Sequence, residues 1–275
     1  MNKQSHLLLT GGTGFFGKAL LRNWAFQEHF TGNVPRVTLL SRDPEQFSRR
    51  YPLLVTNSWL KMVKGDICEV DSLPRGVAFT HVLHAAADST NGPFLSPKER
   101  FDQIVMGTRN VLDLSVACKA GRFLLTSSGG AYGPQPAEME FIPEAFNAMP
   151  DPLNPFNAYG VAKRQAEHLC AQYGHHYGIE TVIARCFAFV GEDLPRGSHF
   201  AIGNFIRDAI ERPEIIVNGN GTPIRSYMYQ SDLAKWLLHL LHHGASGSAY
   251  NVGSDEVYSI ADVAYLVRDI LSPEK

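Results

Sequence analysis

An excess of charge of one sign is the first thing this sequence lacks. Across 275 residues, 25 Lys and Arg stand against 27 Asp and Glu, a net charge of −2. That balance gives no basis for binding nucleic acid, which calls for a basic surface. Long apolar runs are also missing: nothing approaches the roughly 20 residues that span a bilayer, so no membrane association is expected. The apolar run after His6 stops at once in a Gly-rich turn, so no secretion signal is read there. Cysteine is sparse. Cys68, Cys118, Cys170 and Cys186 are scattered without a C-x-x-C pair, which fits free thiols in a reducing cytosol and a cytoplasmic protein. His239, His242 and His243 have helical spacing, but no carboxylate or cysteine frames them. A solvated helix end is the expectation, and no metal site. There are no internal repeats or low-complexity tracts. With 44% hydrophobic and 19% charged residues, the chain has the composition and length for a sizeable globular core.

What is present is alternation. Strand-like runs at 6–9, 37–40, 60–64, 80–84, 122–127 and 181–185 are separated by helix-like segments. The first of these carries Phe16, Leu20, Leu21 and Trp24 on one face, and two long helices are expected at 97–119 and 157–177. Repeated β-α order predicts an α/β protein with a parallel sheet and helices on both faces. The right-handed crossover rule makes it a doubly wound, Rossmann-like sheet. After Val190-Gly191 the elements shorten: a helix near 200–211, a strand at 215–217, a helix at 232–242 and a last helix from Ile260. The expected organisation is a dinucleotide-binding domain over 1–190 and a smaller C-terminal substrate lobe over 191–275, partly interleaved with the core.

Gly11-Gly12-Thr13-Gly14-Phe15-Phe16-Gly17 fits G-x-G-x-x-G directly after the first strand and opens a helix. Glycine permits the tight turn and lets the backbone approach a pyrophosphate, while the helix N-terminus supplies N–H donors and positive potential. The end of the second strand selects the dinucleotide. An acid there holds the ribose diol of NAD. This chain has Leu40-Ser41-Arg42-Asp43. Ser41 and Arg42 suit a 2′-phosphate, which favours NADP. Asp43 turned inward would favour NAD. Asp66, in Gly65-Asp66-Ile67, is placed to accept from the adenine amino group or simply to hold a turn.

Tyr159 and Lys163 are four residues apart and share a helix face. A nearby ammonium favours phenolate, so the tyrosine is suited to proton exchange, and the lysine to holding the nicotinamide ribose. Ser128 lies at the C-terminal end of a strand, the edge where such sheets bind ligands. It is placed to hydrogen-bond a reacting hydroxyl or carbonyl.

With these residues in hand, the chain resembles the extended short-chain dehydrogenase/reductases, specifically the NAD(P)-dependent nucleotide-sugar epimerase/dehydratase family, from His6 to about Val263. Thr10 to Gly17 matches the family's T-G-x-x-G-x-x-G, Gly65 to Ile67 its G-D-[IL], and His84 to Ala87 its H-x-A-A. Ser127 to Gly133 matches S-S-x-x-x-Y-G, and Pro155, Tyr159 and Lys163 match P-x-x-x-Y-x-x-x-K. Gly219 to Ser226 resembles G-x-G-x-x-x-R-[DS], and Gln230 to Ala234 with Tyr250 to Gly253 fits the C-terminal signature. The resemblance implies catalysis by Ser128, Tyr159 and Lys163. It implies cofactor contacts from Gly11, Thr13, Gly14, Phe15, Phe16, Gly17, Ser41, Arg42, Asp66, Ile67, Ala85, Ala86, Ala87, Tyr159, Lys163 and Cys186. Ser128 and Arg225 would meet a nucleotide-sugar substrate, Arg225 at its diphosphate; the alternative is that Arg225 pairs with Asp232. A homodimer through the two long helices is implied, with Val105, Leu112, Val116, His168 and Tyr173 as candidates on the outward faces.

Departures from the family narrow the chemistry. Dehydratases carry Asp-Glu after the catalytic hydroxyl, whereas Gly129 and Gly130 have no proton to give. This argues against a 4,6-dehydratase, and the missing Glu against a decarboxylase. Ala188 stands where a substrate-contacting Asn is usual, and Ile104 where an Asn is frequent. Ending at Lys275, earlier than most members, the chain is expected to have a trimmed substrate lobe. Two enzymatic versions remain, an epimerase and a keto-sugar reductase. The reading from a different class is a non-catalytic NADP-binding regulator or scaffold of the same fold.

Overall fold

The computed structural model describes residues 3–87 and 95–274. In chain order its first half runs β1 (His6–Thr10), α1 (Phe15–Thr31), β2 (Arg36–Ser41), α2 (Pro44–Arg50), α3 (Pro52–Val55), β3 (Leu60–Lys64), β4 (His81–His84), α4 (Pro97–Ala117), β5 (Arg122–Ser128), α5 (Ala158–Tyr177) and β6 (Glu180–Cys186). The second half runs β7 (Ala188–Val190), α6 (Ala201–Glu211), β8 (Ile224–Tyr229), α7 (Gln230–His243), β9 (Ser248–Val252), β10 (Val257–Ser259) and α8 (Ile260–Leu271).

Seven strands form one sheet in the order β3-β2-β1-β4-β5-β6-β9, all parallel. The order reverses between β1 and β4, and the crevice above that reversal is where such sheets take a ligand. The strand sequences are near-continuous apolar runs because both faces are covered. On one face Leu7, Leu9, Leu39 and Leu124 pack with Leu20, Leu21 and Trp24 of α1 and Leu237 and Leu241 of α7. On the other, Leu8, Val82, Phe123 and Leu125 pack with Val111 and Leu112 of α4 and Ala162, Ala166 and Leu169 of α5. Each large side chain so buried contributes roughly 1.5–3 kcal/mol.

Local signals set the helix ends. Ser96 and Glu99 form a reciprocal capping box ahead of Pro97 at the start of α4. Helix α1 stops at Gly32 and α5 at Gly178, both left-handed.

A second, three-stranded sheet orders β10-β8-β7, with β8 parallel to β7 and antiparallel to β10. Phe205 and Ala209 of α6 pack on Val263, Ala264 and Val267 of α8 beside it. The strand expected at 215–217 is absent. Ile215 and Val217 join the α6–α8 cluster, and the Ile216 N–H donates to Asp208 Oδ2 at 3.5 Å instead of to a neighbouring strand. Two elements past residue 190 return to the large sheet: α7 packs on its α1 face, and β9 is its edge strand. His242 on α7 is half-buried beside His81, ring centroids 5.8 Å apart, rather than solvated. No helix among the described residues is long and apolar enough to cross a membrane.

Candidate active site at the carboxyl edge of the sheet

The turn after β1 is built on close backbone approach. Gly11 has φ +72°, and a Cβ there would lie 2.4 Å from the Ala85 carbonyl carbon, so only glycine lets the turns after β1 and β4 meet. The Gly14 N–H closes the turn onto the Gly11 carbonyl at 3.1 Å. Helix α1 then opens with no side-chain cap and no acid in its first turn. Its N–H groups and positive dipole end are left to an anion, which suits a dinucleotide pyrophosphate. Thr13 and Phe15 line this turn, while the Phe16 ring packs edge-on against Phe189 of β7 at 5.2 Å. A cofactor contact from Phe16 would therefore come from its backbone.

At the end of β2, Asp43 is the N-cap of α2 and accepts from the Gln46 N–H at 2.8 Å. Buried Ser41 accepts the Asp43 N–H at 3.2 Å through Oγ, and its own O–H is left to donate. Arg42 is exposed. After β3, Asp66 accepts from the Cys68 N–H at 2.9 Å, the local turn that was one of its two expected roles. Asn110 of α4 holds the Ile67 carbonyl at 2.9 Å, and Gly107 makes room for the Ile67 side chain. Ala85, Ala86 and Ala87 follow β4, the first of them against the Gly11 turn.

Three residues converge above β5. The β5–β6 register sets Ser128 opposite Cys186. Ser128 Oγ accepts the Gly130 N–H at 3.1 Å and is hydrogen-bonded to the Tyr159 side chain, which rises from the first turn of α5. One turn on, buried Lys163 donates to the Thr126 carbonyl at 2.8 Å, its ammonium 5.8 Å from the Tyr159 ring centroid. Burial pushes Lys163 down to about 8. Burial pushes the Tyr159 phenol up, and the Ser128 hydrogen bond and the Arg100 charge pull it back. Arg100, near the start of α4, thus adds a second cation to the surroundings of the phenol beside Lys163. Burial also pushes the Cys186 thiol up to about 12, so it is an inert neighbour rather than a nucleophile.

Sequence reasoning missed the supports beneath these groups. His84 bridges Thr10 Oγ1 at 2.7 Å and Thr108 Oγ1 at 3.2 Å, tying β1, β4 and α4 together under the site. Burial, with the Lys163 charge second, pushes it down to about 3, so it is a neutral strut. Glu167, one turn beyond Lys163, accepts from Ser127 at 2.6 Å and from Arg185 at 3.0 and 2.7 Å. Arg185 lies over the Tyr132 ring, whose hydroxyl donates to Asn251 Oδ1 at 2.8 Å. The Tyr250-to-Gly253 segment noted in the sequence thereby ties β9 to the strands that carry the site. The H-x-A-A pattern was the available signal for His84. The pairing of Glu167 with Arg185 left no local signal.

The second sheet carries Arg225, the residue expected to meet a substrate diphosphate. Arg225 on β8 is exposed, and its Nη1 donates to the Ile224 carbonyl at 2.7 Å. It does not pair with Asp232, which Lys235 holds at 2.9 Å. Phe187 directly follows β6, its N–H donating to the Val252 carbonyl at 3.1 Å. Asp193, after β7, is buried and pairs with Lys18 at 3.1 Å and Arg22 at 3.2 Å on α1, fastening the second sheet to the helix that carries the glycine turn. Among the described residues no group of three or more His, Cys, Asp or Glu is placed to hold a metal ion.

Comparison with known proteins bears on the family and the fold. The chain is 26% identical over 272 residues to UDP-glucuronic acid decarboxylase 1 of Arabidopsis thaliana, covering 98% of this chain and 59% of that protein. It is 26% identical over 270 residues to the Danio rerio protein of the same name, at 98% and 61%. The chain thus spans about three fifths of the length of these relatives. Among solved structures, dTDP-glucose 4,6-dehydratase from Bacillus anthracis in complex with NAD superposes with a TM-score of 0.81 at 19% identity, covering 97% of this chain and 81% of that one. UDP-glucuronic acid 4-epimerase from Bacillus cereus, in complex with UDP-glucuronic acid and NAD, gives 0.79 at 23% identity, covering 98% and 84%. These two likenesses establish the fold. Residues 7–253 match the NAD dependent epimerase/dehydratase family, and the chain belongs to that family, within the extended short-chain dehydrogenase/reductases.

Proposed function

We propose that the chain is an NAD(P)-dependent enzyme acting on a nucleotide-linked sugar by hydride transfer at Ser128, Tyr159 and Lys163, as an epimerase or a keto-sugar reductase. The observation that carries this reading is the Ser128–Tyr159 hydrogen bond beside a lysine anchored on the same strand. A nicotinamide dinucleotide held at the Gly11–Gly17 turn would supply the hydride chemistry. Tyr159 moves the proton at the sugar oxygen, Ser128 orients that oxygen, and Lys163 holds the nicotinamide ribose. Elimination and decarboxylation are not proposed, although the matched relatives include decarboxylases, because Gly129 and Gly130 carry no acid or base.

NADP is the proposed cofactor, with NAD the alternative. Asp43 is occupied in capping α2, which leaves Ser41 and Arg42 for a 2′-phosphate. Cofactor contacts are assigned to the residues expected from the sequence, and Arg225 to the nucleotide diphosphate. The substrate lobe is placed in residues 191–275, less the two elements that return to the large sheet. A homodimer through α4 and α5 is proposed, in a cytoplasmic setting. Mass spectrometry of what co-purifies tests the version: a retained oxidised cofactor selects the epimerase, and an empty site the reductase. A retained flavin or metal in place of a nicotinamide dinucleotide would refute both.

A further inference from the structure

A cleft of about 470 Å³ opens beside α5 on the flank turned away from α4, between that helix and strands β6 and β9. Small-molecule sites span roughly 300–1,000 Å³. Val161, Ile183 and Ala249 give the cleft apolar walls, and Glu167, Arg185 and Arg164 give it a charged floor. The Glu167 carboxylate is already saturated. Its Oε1 accepts from Ser127 at 2.6 Å and from the Arg185 Nε at 3.0 Å, and its Oε2 from the Arg185 Nη2 at 2.7 Å. Arg164 reaches Oε2 only at 3.4 Å, and its Nη2 donates to the neutral Asn147 Oδ1 at 3.0 Å. Among the described residues no second carboxylate lies within 4.0 Å of Arg164. Glu144, whose carbonyl accepts from Arg185, turns its own carboxylate to the Asn251 N–H at 2.9 Å. Two guanidinium groups therefore share one carboxylate, and the surplus cation is Arg164, 25% exposed, against 7% and 8% for Glu167 and Arg185.

We propose that this cleft is a second ligand site, taking a small organic monocarboxylate with an apolar body, its carboxylate seated on the Arg164 guanidinium. A guanidinium fork matches the two oxygens of a carboxylate, and a charge-assisted pair in a partly dry cleft is stronger than the long contact it replaces. One negative charge balances the surplus. A dianion would overshoot it and face Glu167. The apolar walls give the rest of the molecule a surface to cover. Arg185 keeps both of its bonds to Glu167, so Arg164 can turn to a ligand without loosening the strand that ends in Ser128. Tyr159 and Lys163 face β5 and its end, so the cleft is separate from the site they form. The second site is independent of the nucleotide-sugar reading above.

The test is calorimetry on the full chain with benzoate, benzamide and inorganic phosphate, with and without excess NADP and UDP. Benzoate is expected to saturate one site per chain at millimolar concentration or below, alike in all conditions. Benzamide, which lacks the charge, and phosphate, which lacks the apolar body, should bind at least tenfold more weakly. Arg164→Leu should weaken benzoate at least tenfold, and Arg164→Lys, which keeps the charge and loses the fork, several-fold. Gln165 lines the cleft and is exposed, so Gln165→Glu brings a rival carboxylate to it without disturbing the fold. That variant should weaken benzoate at least fivefold, and it decides the matter if Arg164→Leu does not fold. A parent that shows no saturable benzoate binding at millimolar concentration overturns the proposal. So does benzoate affinity that is unchanged in Gln165→Glu or in a folded Arg164→Leu. Phosphate binding as tightly as benzoate overturns the monocarboxylate assignment. Benzoate displaced by NADP or UDP lies at the glycine turn or at Arg225, which overturns the second site and leaves the proposed function standing.

Discussion

Lys163 donates to the carbonyl of Thr126 across 2.8 Å of buried space. The bond ties the second turn of α5 to the strand that ends in Ser128, so the lysine, the serine and the tyrosine are set by one strand–helix contact rather than by three separate loops. Rigid secondary structure holds reacting groups more tightly than loops do.

Tyr159→Phe should therefore leave the framework intact while removing the proton carrier. Turnover is expected to fall at least ~100-fold, the usual size of an acid/base contribution, with cofactor affinity nearly unchanged. Steady-state kinetics and cofactor fluorescence on the purified variant check both. Turnover close to that of the parent would sink the assignment.

Arg42→Ala should weaken NADPH binding roughly 10- to 100-fold, the equivalent of about 1.5–3 kcal/mol for a charge-assisted contact, and NADH binding far less. Fluorescence titration with both dinucleotides reads the ratio. Equal losses would return the role to Asp43, despite its capping bond.

His84 carries an acid-sensitive part of the stability. Its folded value is pushed down to about 3, against 6.5 for the exposed ring. Below 6.5 the unfolded chain takes up a proton that the folded chain refuses, so stability is full above that value and drains as pH falls towards 3. His84→Gln should cost stability at pH 7, about 1 kcal/mol for each hydrogen bond not remade, yet show a shallower decline with acid. Urea midpoints at pH 7, 5.5 and 4.5 measure the two slopes. Parallel slopes would mean that another group governs the acid limb.

Arg225→Lys keeps the charge and loses the fork that fits phosphate oxygens. Nucleoside diphosphate binding should weaken several-fold at an unchanged melting temperature, since the guanidinium bonds only the adjacent Ile224 carbonyl within the chain. A fall in melting temperature with unaltered binding would make it a structural residue.

Dimerisation should appear in light scattering at micromolar concentration. Val105, Val116 and Tyr173 are half-buried and His168 is exposed, so these remain candidates, but Leu112 is fully buried against the sheet and is not one. Tyr173 also bonds Asp113 across the α4–α5 pair. Paired charge reversals at Arg109 and Asp113, both exposed on α4, should shift the equilibrium; a monomer in the parent would refute the proposal.

The parallel strands were legible because a strand buried on both faces is a short apolar run closed by turn residues, as in β1 with its Gly11 turn. Strand β8 was not: Ile224-Arg225-Ser226-Tyr227 is exposed or half-exposed and alternates too weakly to separate from a loop. Strand β9 was read as a motif only, because its pairing partner lies some sixty residues upstream. Asp43 was readable and was left open. An Asp directly before Pro44 is a helix-start signature, and weighing it would have committed the side chain to the cap. Ser128, Tyr159 and Lys163 stood out through short spacings. His84 stood in the H-x-A-A pattern without its strut role being readable, and Arg100 and the Glu167–Arg185 pair act across folds of the chain that no local pattern encodes.

The chain leaves the large sheet after β6 and re-enters it at β9, with strands β7 and β8 of the second sheet in between. The lobe is consequently part insertion and part tail, because β10 and α8 follow β9 and complete its sheet and its helix pair. It cannot be clipped off or exchanged wholesale without unthreading the edge of the dinucleotide fold. Asp193, locked to Lys18 and Arg22, adds a seam near its entry. On the nucleotide-sugar reading proposed above, re-targeting such a protein has to proceed by changing side chains and loop lengths inside the lobe, such as Arg225 and the 212–223 loop. A graft taken from a relative would need every crossing to and from the large sheet, and the seam, to be carried along.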